Sequence, residues 1–292
     1  MMFEGVLTAI ATPLRDGEID EDALRVLVER QIEAGIDGLV PCGSTGESAT
    51  LSHAEHRRVV EIVVQATRGR VPVVAGTGSN NTREAVELTQ HAKEAGADGA
   101  LLISPYYNKP TQRGLVEHFA EIGRRTSFPL VVYNVPSRTA SNILPATLAE
   151  IARTPQVVGV KEASGDLAQM AEAIALCPDD FDVLSGDDAL NLPLLAIGGR
   201  GVICTSSNVA PREMVSLVRA FRGGDLEHAR RMHYQLLPLF QVLFCETNPI
   251  PVKAALEMMG LLGPEIRLPL LPLSEPNRER LQVVLKELGL VG

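Results

Sequence analysis

The chain has 292 residues, 45% of them hydrophobic and 22% charged, with a formal net charge of -9. This is an ordinary composition for a folded chain, long enough for one large barrel or two smaller domains. The acidic balance argues against nucleic acid or an anionic membrane surface as partner, because both need a basic face.

The first segment, MMFEGVLTAIATPL, has an acid where a signal peptide needs a basic stretch, and its apolar part reads as a strand. Seven more short apolar runs follow: GLVPCG from residue 38, VPVVAGTG from 71, GALLISP from 99, PLVVYNVP from 129, VVGVKEASG from 157, FDVLSGDD from 181 and GVICTSSN from 201. Each is nearly continuous in hydrophobicity, as parallel strands covered on both faces should be. Between them lie amphipathic segments such as EDALRVLVERQIEAG and TREAVELTQHAKEAG, apolar at i, i+3 and i+4 and ended by glycine. AGIDG and AGADG, just before the second and fourth runs, repeat one helix-to-strand turn.

Eight strands alternating with helices predict a (β/α)8 TIM barrel over residues 1–223. A doubly wound sheet needs fewer strands and a glycine-rich turn after the first, where this chain has Thr12-Pro13. Residues 224–292 predict helices at 225–244, 251–259 and 275–288, a C-terminal helical extension packed on the barrel. No apolar run reaches membrane-spanning length. The four cysteines lie far apart with no CxxC, which fits reduced thiols, so a soluble cytoplasmic protein is expected.

In such barrels the chemistry sits where strands end and loops begin. The chain has five lysines against twenty-two arginines, and only Lys161 interrupts an apolar strand; Lys93, Lys109, Lys253 and Lys286 fall in helices or loops. Burying an ammonium is costly unless it is paired or loses its proton, and a neutral amine is a nucleophile for a carbonyl. A structural ion pair with Glu162, or a lysine pointing outward between helices, are the competing readings. Three of the four tyrosines (Tyr106, Tyr107, Tyr133) lie at strand ends, where a phenol can pass protons during imine formation and breakdown. Aromatic packing under loops is the competing reading there.

The stretch Gly43-Ser44-Thr45-Gly46 offers small residues, two hydroxyls and backbone amides, with a helix at 53–67 soon after, which suits a carboxylate or phosphate. Arg138, a few residues past a strand end, is placed to clamp a carboxylate or to form a surface salt bridge. His53 and His56 share a helix face but lack an evident third ligand, so no metal is expected. Of the adjacent pair Asp187-Asp188, Asp188 is expected to cap the following helix.

GSTGES at 43–48, PYYN at 105–108, YNVPSRT at 133–139, GVKEASGD at 159–166 and LSGDD at 184–188 together resemble the dihydrodipicolinate synthase family, the lysine-pathway branch of the pyruvate-dependent class I aldolases. The likeness extends to NPIPVKAAL at 248–256 and RLPL at 267–270. The resemblance implies a lyase without cofactor or metal, in which pyruvate forms a Schiff base on Lys161 and the enamine attacks aspartate 4-semialdehyde. It implies a proton relay of Tyr133, Thr45 and Tyr107, with Tyr107 lent across a dimer interface. Ser44 and Thr45 would hold the pyruvate carboxylate by their amides, the carbonyls of Gly186 and Ile203 would border the pocket, and Arg138 would receive the aldehyde's carboxylate. Ser44 stands where threonine is more usual.

The resemblance also implies a feedback site for lysine at Ser48, Ala49, His53, His56, Asn80, Glu84 and Tyr106, and a homotetramer built as a dimer of dimers. A sister lyase acting on N-acetylneuraminate or a 2-keto-3-deoxy sugar acid would share the lysine, the tyrosine and the glycine-rich loop. Arg138 within NVPSRT discriminates against it. A non-catalytic barrel that senses a small anion would leave the strand lysine without a purpose.

Overall fold

The computed structural model describes residues 2–292. Eight parallel strands ring a common axis: β1 (Gly5–Ala9), β2 (Gly38–Val40), β3 (Val74–Gly76), β4 (Gly99–Ile103), β5 (Leu130–Asn134), β6 (Val157–Glu162), β7 (Asp182–Ser185) and β8 (Gly201–Cys204). Hydrogen bonds run in the order β2-β1-β8-β7-β6-β5-β4-β3, and a bridge between Leu39 and Val73 closes the ring. This is the (β/α)8 barrel that the alternating apolar runs predict. A two-stranded hairpin (Leu14–Arg15 with Glu18–Ile19) is added between β1 and the first helix.

The repeated turn has a concrete use. Glycine ends each preceding helix, and the aspartate that follows accepts a main-chain N–H from a neighbouring strand segment: Asp37 from Val6 at 2.8 Å, Asp98 from Val73 at 2.8 Å. Each carboxylate thus fixes the start of one strand against the next.

Two apolar layers result. Leu24, Leu27, Val59, Ile62, Leu115, Phe119 and many others fill the space between strands and outer helices. Inside the ring lie Phe3, Leu7, Val40, Val74, Leu101, Val131, Tyr133, Leu184 and Ile203. Fully burying one such aliphatic or aromatic side chain contributes about 1.5–3 kcal/mol relative to exposure. The barrel centre is therefore a packed floor, and the chemistry is displaced to its rim.

Beyond the helix Pro211–Arg222 come Leu226–Val242, Ile250–Met258 and Glu275–Glu287, close to the expected bounds. They pack on one another and back onto the barrel's last helix and the turn Ser206–Asn208. Among the described residues, no helix is long and apolar enough to cross a membrane.

Candidate active site

Lys161 turns into the barrel. The pairing of β5 with β6 shifts register between Leu130 and Val131, and beyond that irregularity Lys161 pairs with Tyr133 on one side and Leu184 on the other. A bulge of this kind re-aims the side chains beyond it. Val160 goes to the outer layer and Lys161 to the inside, where it is 7% exposed and lines a cavity of about 800 Å³ with Ser44, Thr45, Tyr133, Arg138 and Gly186. Its Nζ lies 4.4 Å from the centroid of the Tyr133 ring.

Neither competing reading of this lysine fits. Glu162, on the opposite face, accepts from the side-chain amide of Asn134 at 3.0 Å and from the Ser164 N–H at 2.7 Å. Burial pushes its pKa up against those hydrogen bonds. Among the described residues no carboxylate lies within ion-pair distance of the Lys161 ammonium. Lys253 is the instructive contrast. It too is buried, but it is paired with Glu47, whose side chain is fully buried. Burial lowers the Lys253 pKa and Glu47 opposes that. Of two buried amines, one is neutralised by a carboxylate and the other is left facing a cavity.

The floor beside Lys161 is cut to fit it. A Cβ on Gly186 would sit 3.0 Å from both Cγ and Cε of Lys161 and 2.7 Å from the Ala163 Cβ. Only glycine leaves the amine its path. Ile203, in β8, packs its side chain into the inner layer.

The glycine-rich turn after β2 supplies the donors. Among the described residues the amides of Ser44 and Thr45 donate no hydrogen bond, whereas Gly46 and Glu47 close the turn onto Gly43 and Ser44. At the start of the helix His53–Thr67 a capping box takes up one helix amide: Glu55 N–H donates to Ser52 Oγ at 3.3 Å, and Ser52 N–H donates to Glu55 Oε2 at 2.7 Å. The two hydroxyls differ. Thr45 Oγ1 accepts from Asn248 Nδ2 at 3.0 Å and lies 3.3 Å from Thr205 Oγ1. Ser44 Oγ has no partner among the described residues and borders the cavity beside Tyr133.

Arg138 stands at the mouth, on the short helix Pro136–Thr139, and donates through Nη2 to the Asn248 carbonyl at 3.1 Å. Tyr107 lines neither this cavity nor the one beside it. It is 89% exposed, with φ +70°. The capping expected of Asp188 falls to its neighbour Asp187. Asp187 caps the short turn by accepting from Ala189 N–H at 2.9 Å, while Asp188 is buried beneath the site and accepts from Ser206 N–H at 2.7 Å. Asp188 is recruited inward because the amides after β8 need an acceptor, and burial raises its pKa.

A second cavity of about 480 Å³ adjoins the first and shares Ser44, Tyr133, Arg138, Thr247 and Asn248 with it. Ser48, Ala49, His53, His56, Glu84 and Tyr106 line it. His53 Nε2 lies 2.8 Å from Glu84. His56 donates Nε2–H to the Gly76 carbonyl at 2.8 Å, which leaves its Nδ1 without a partner. Asn80 lies outside the lining and donates to the Tyr106 carbonyl at 3.1 Å, holding that loop. Among the described residues no group of three or more His, Cys, Asp or Glu side chains is placed to hold a metal ion.

Reading strand ends alone finds Thr205, which directly follows β8, but misses Asn248 as a site residue. Asn248 comes from the C-terminal extension, and its signal is a polar residue opening NPIPVKAAL, a stretch apolar except for Lys253.

The comparisons with known proteins agree with this geometry. The Dihydrodipicolinate synthetase family profile matches residues 2–288. The chain is 59% identical over 292 residues to the 4-hydroxy-tetrahydrodipicolinate synthase of Nitratidesulfovibrio vulgaris (strain Miyazaki F), covering all of both chains. Among solved structures it resembles the chloride-inhibited dihydrodipicolinate synthase from Acinetobacter baumannii complexed with pyruvate, with TM-score 0.97, 43% identity and 99% of each chain covered. It also resembles the enzyme from Cyanidioschyzon merolae with lysine bound, with TM-score 0.96, 38% identity and 99% of each chain covered. An unpaired lysine amine at the rim of a (β/α)8 barrel, carried on a sequence alike over its whole length, places the chain in the dihydrodipicolinate synthetase family.

Proposed function

We propose that this protein is a lyase that condenses pyruvate with aspartate 4-semialdehyde to give 4-hydroxy-tetrahydrodipicolinate, in the lysine and diaminopimelate route. One observation carries the reading: a buried amine with no counter-charge, facing a cavity that also presents free amides and an arginine. The Lys161 amine adds to the pyruvate C2 carbonyl and water leaves, giving an imine. Loss of a methyl proton gives the enamine, whose carbon attacks the aldehyde. The amino group of the incoming substrate then displaces Lys161 at C2, closing the ring and freeing the amine.

The amides of Ser44 and Thr45 suit the pyruvate carboxylate, and Arg138 suits the carboxylate of the second substrate. The carbonyls of Gly186 and Ile203 border the pocket. Tyr133, Thr45 and a Tyr107 lent by a neighbouring subunit form the proton relay, which makes a dimer the smallest complete unit and a dimer of dimers the expected assembly. A variant of this relay, in which Ser44 takes the place of Thr45, is favoured by the free Ser44 hydroxyl beside Tyr133. The reaction needs no cofactor, since the imine itself draws electrons from the methyl carbon, and it belongs in the cytoplasm.

The second cavity supports feedback by lysine. Glu84 offers a carboxylate to an ammonium, and His53, His56, Ser48, Ala49 and Tyr106 surround it, with Asn80 holding the loop. An unchanged rate at millimolar lysine removes that part of the proposal and leaves the catalytic part intact. The catalytic reading is tested by borohydride reduction with pyruvate followed by mass measurement. Label is expected on the wild type and none on Lys161→Ala. Label on the variant at full yield overturns the assignment. Turnover with aspartate 4-semialdehyde set against 2-keto-3-deoxy sugar acids then separates the synthase from a sister lyase.

A further inference from the structure

Asn248 makes two hydrogen bonds that point to different parts of the cavity. Its side-chain Nδ2 donates to Thr45 Oγ1 at 3.0 Å, and its main-chain carbonyl accepts from Arg138 Nη2 at 3.1 Å. The residue is buried, and it lines the cavity that holds Lys161.

The first bond has a directional consequence. A threonine hydroxyl carries one proton and two lone pairs. With one lone pair occupied by Asn248, the Thr45 proton must leave on another side, toward Thr205 Oγ1 at 3.3 Å or into the cavity. A contact of 3.3 Å between hydroxyls is long for an O–H···O bond. It is therefore readily exchanged for a charged acceptor. The free N–H groups of Ser44 and Thr45 stand in the same turn, so the hydroxyl adds a third donor to one small anion cradle.

Resting on the pyruvate reading above, in the variant where Ser44 takes the relay place of Thr45, we infer that Asn248 is a positioning residue: by donating to Thr45, it turns the threonine hydroxyl toward the carboxylate of the keto acid bound at Lys161. Asn248 touches no substrate itself. Hydrogen bonds to a charged group are worth more than neutral ones, so losing this alignment weakens keto-acid binding without removing the nucleophile.

The test uses steady-state kinetics and borohydride trapping on wild type, Asn248→Ala, Asn248→Asp, Thr45→Val and the double variant Asn248→Ala/Thr45→Val. Asn248→Ala keeps the main-chain carbonyl that holds Arg138. It is therefore expected to raise the KM for pyruvate about tenfold while the KM for the aldehyde stays within about twofold. Asn248→Asp is close in shape but can only accept, so it draws the threonine proton away and sets a negative charge beside the carboxylate. Its pyruvate KM is expected to rise more than that of Asn248→Ala. The double variant is expected to match Thr45→Val alone, because residues acting through one contact are not additive.

A pyruvate KM unchanged in Asn248→Ala, equal damage to both substrates, full additivity in the double variant, or an Asn248→Asp enzyme as good as wild type each overturns the inference. Absence of a trapped adduct on the wild type is a separate result, which removes the pyruvate reading itself. Circular dichroism and oligomer size of each variant identify a folding failure. Should Asn248→Ala misfold, the isosteric Asn248→Asp carries the same KM test.

Discussion

Lys253→Met removes the cation paired with Glu47 and leaves that carboxylate in a site where its side chain is fully buried and Lys253 itself is 5% exposed. The Arg267 N–H, at 3.2 Å, remains as a single neutral donor. Removing one partner of a buried pair costs about 3–5 kcal/mol, because the survivor keeps its desolvation penalty and loses its compensation. For a chain of this size each kcal/mol moves the melting temperature by roughly 2–4 °C, so a fall of roughly 6–20 °C is expected. The companion variant Glu47→Gln/Lys253→Met removes both charges and keeps an oxygen for the Arg267 N–H. It is expected to recover most of the loss, since neutral replacement of both partners is often close to free of cost. Differential scanning calorimetry at one fixed protein concentration reads both, and trapping of the pyruvate adduct reports whether the turn carrying Ser44 and Thr45 has shifted. A Lys253→Met protein melting within about 2 °C of wild type refutes the reasoning, as does a double variant less stable than the single one.

Gly186→Ala places a methyl 3.0 Å from two carbons of Lys161. Trapping with pyruvate is expected to slow by roughly tenfold or more with little change in melting temperature, and an unaltered rate shows that the lysine reaches its carbonyl by another path. His118, buried and bonded to the Thr82 hydroxyl, has its pKa pushed down to about 4 by burial. Its folded pKa lies below the ordinary histidine value, so the unfolded chain binds more protons between about pH 6.5 and pH 4, and stability falls as pH falls through that window. His118→Gln is expected to flatten that slope by up to about 3 kcal/mol, measured by denaturant titration at pH 7.5, 5.5 and 4.5; an unchanged slope assigns the acid loss elsewhere.

The barrel was legible because burial on both faces leaves an uninterrupted apolar run, and eight of these runs are visible by eye. Lys161 was legible for the same reason, as a charge inside one of them. Lys253 was not, although it is just as buried. It sits in the apolar stretch of the helix Ile250–Met258, outside the eight strand runs, and the carboxylate that makes its burial tolerable lies 206 positions away. Neighbouring residues with similar side chains were the other blind spot. Asp187 and Asp188, or Ser44 and Thr45, differ in what they meet only once the chain bends, since adjacent positions in a turn point along unrelated directions. The helix at 53–67 offers one amide fewer to an anion than its position suggests, because Ser52 takes up the Glu55 N–H, a pairing already visible in the S-x-x-E spacing.

The dependence of the catalytic turn on residues near the far end has a consequence for synthesis. Asn248, Lys253 and Arg267 all reach back to the stretch between Thr45 and Glu55. At translation rates of about 5–20 residues per second, the 206 positions between Glu47 and Lys253 take roughly 10–40 s to emerge. Throughout that interval a nascent barrel can pair its strands but carries an unanswered acid beneath its own anion cradle. Competence therefore arrives late and abruptly, when the tail docks, and a ribosome stalled after the eighth strand displays a fold without a working centre.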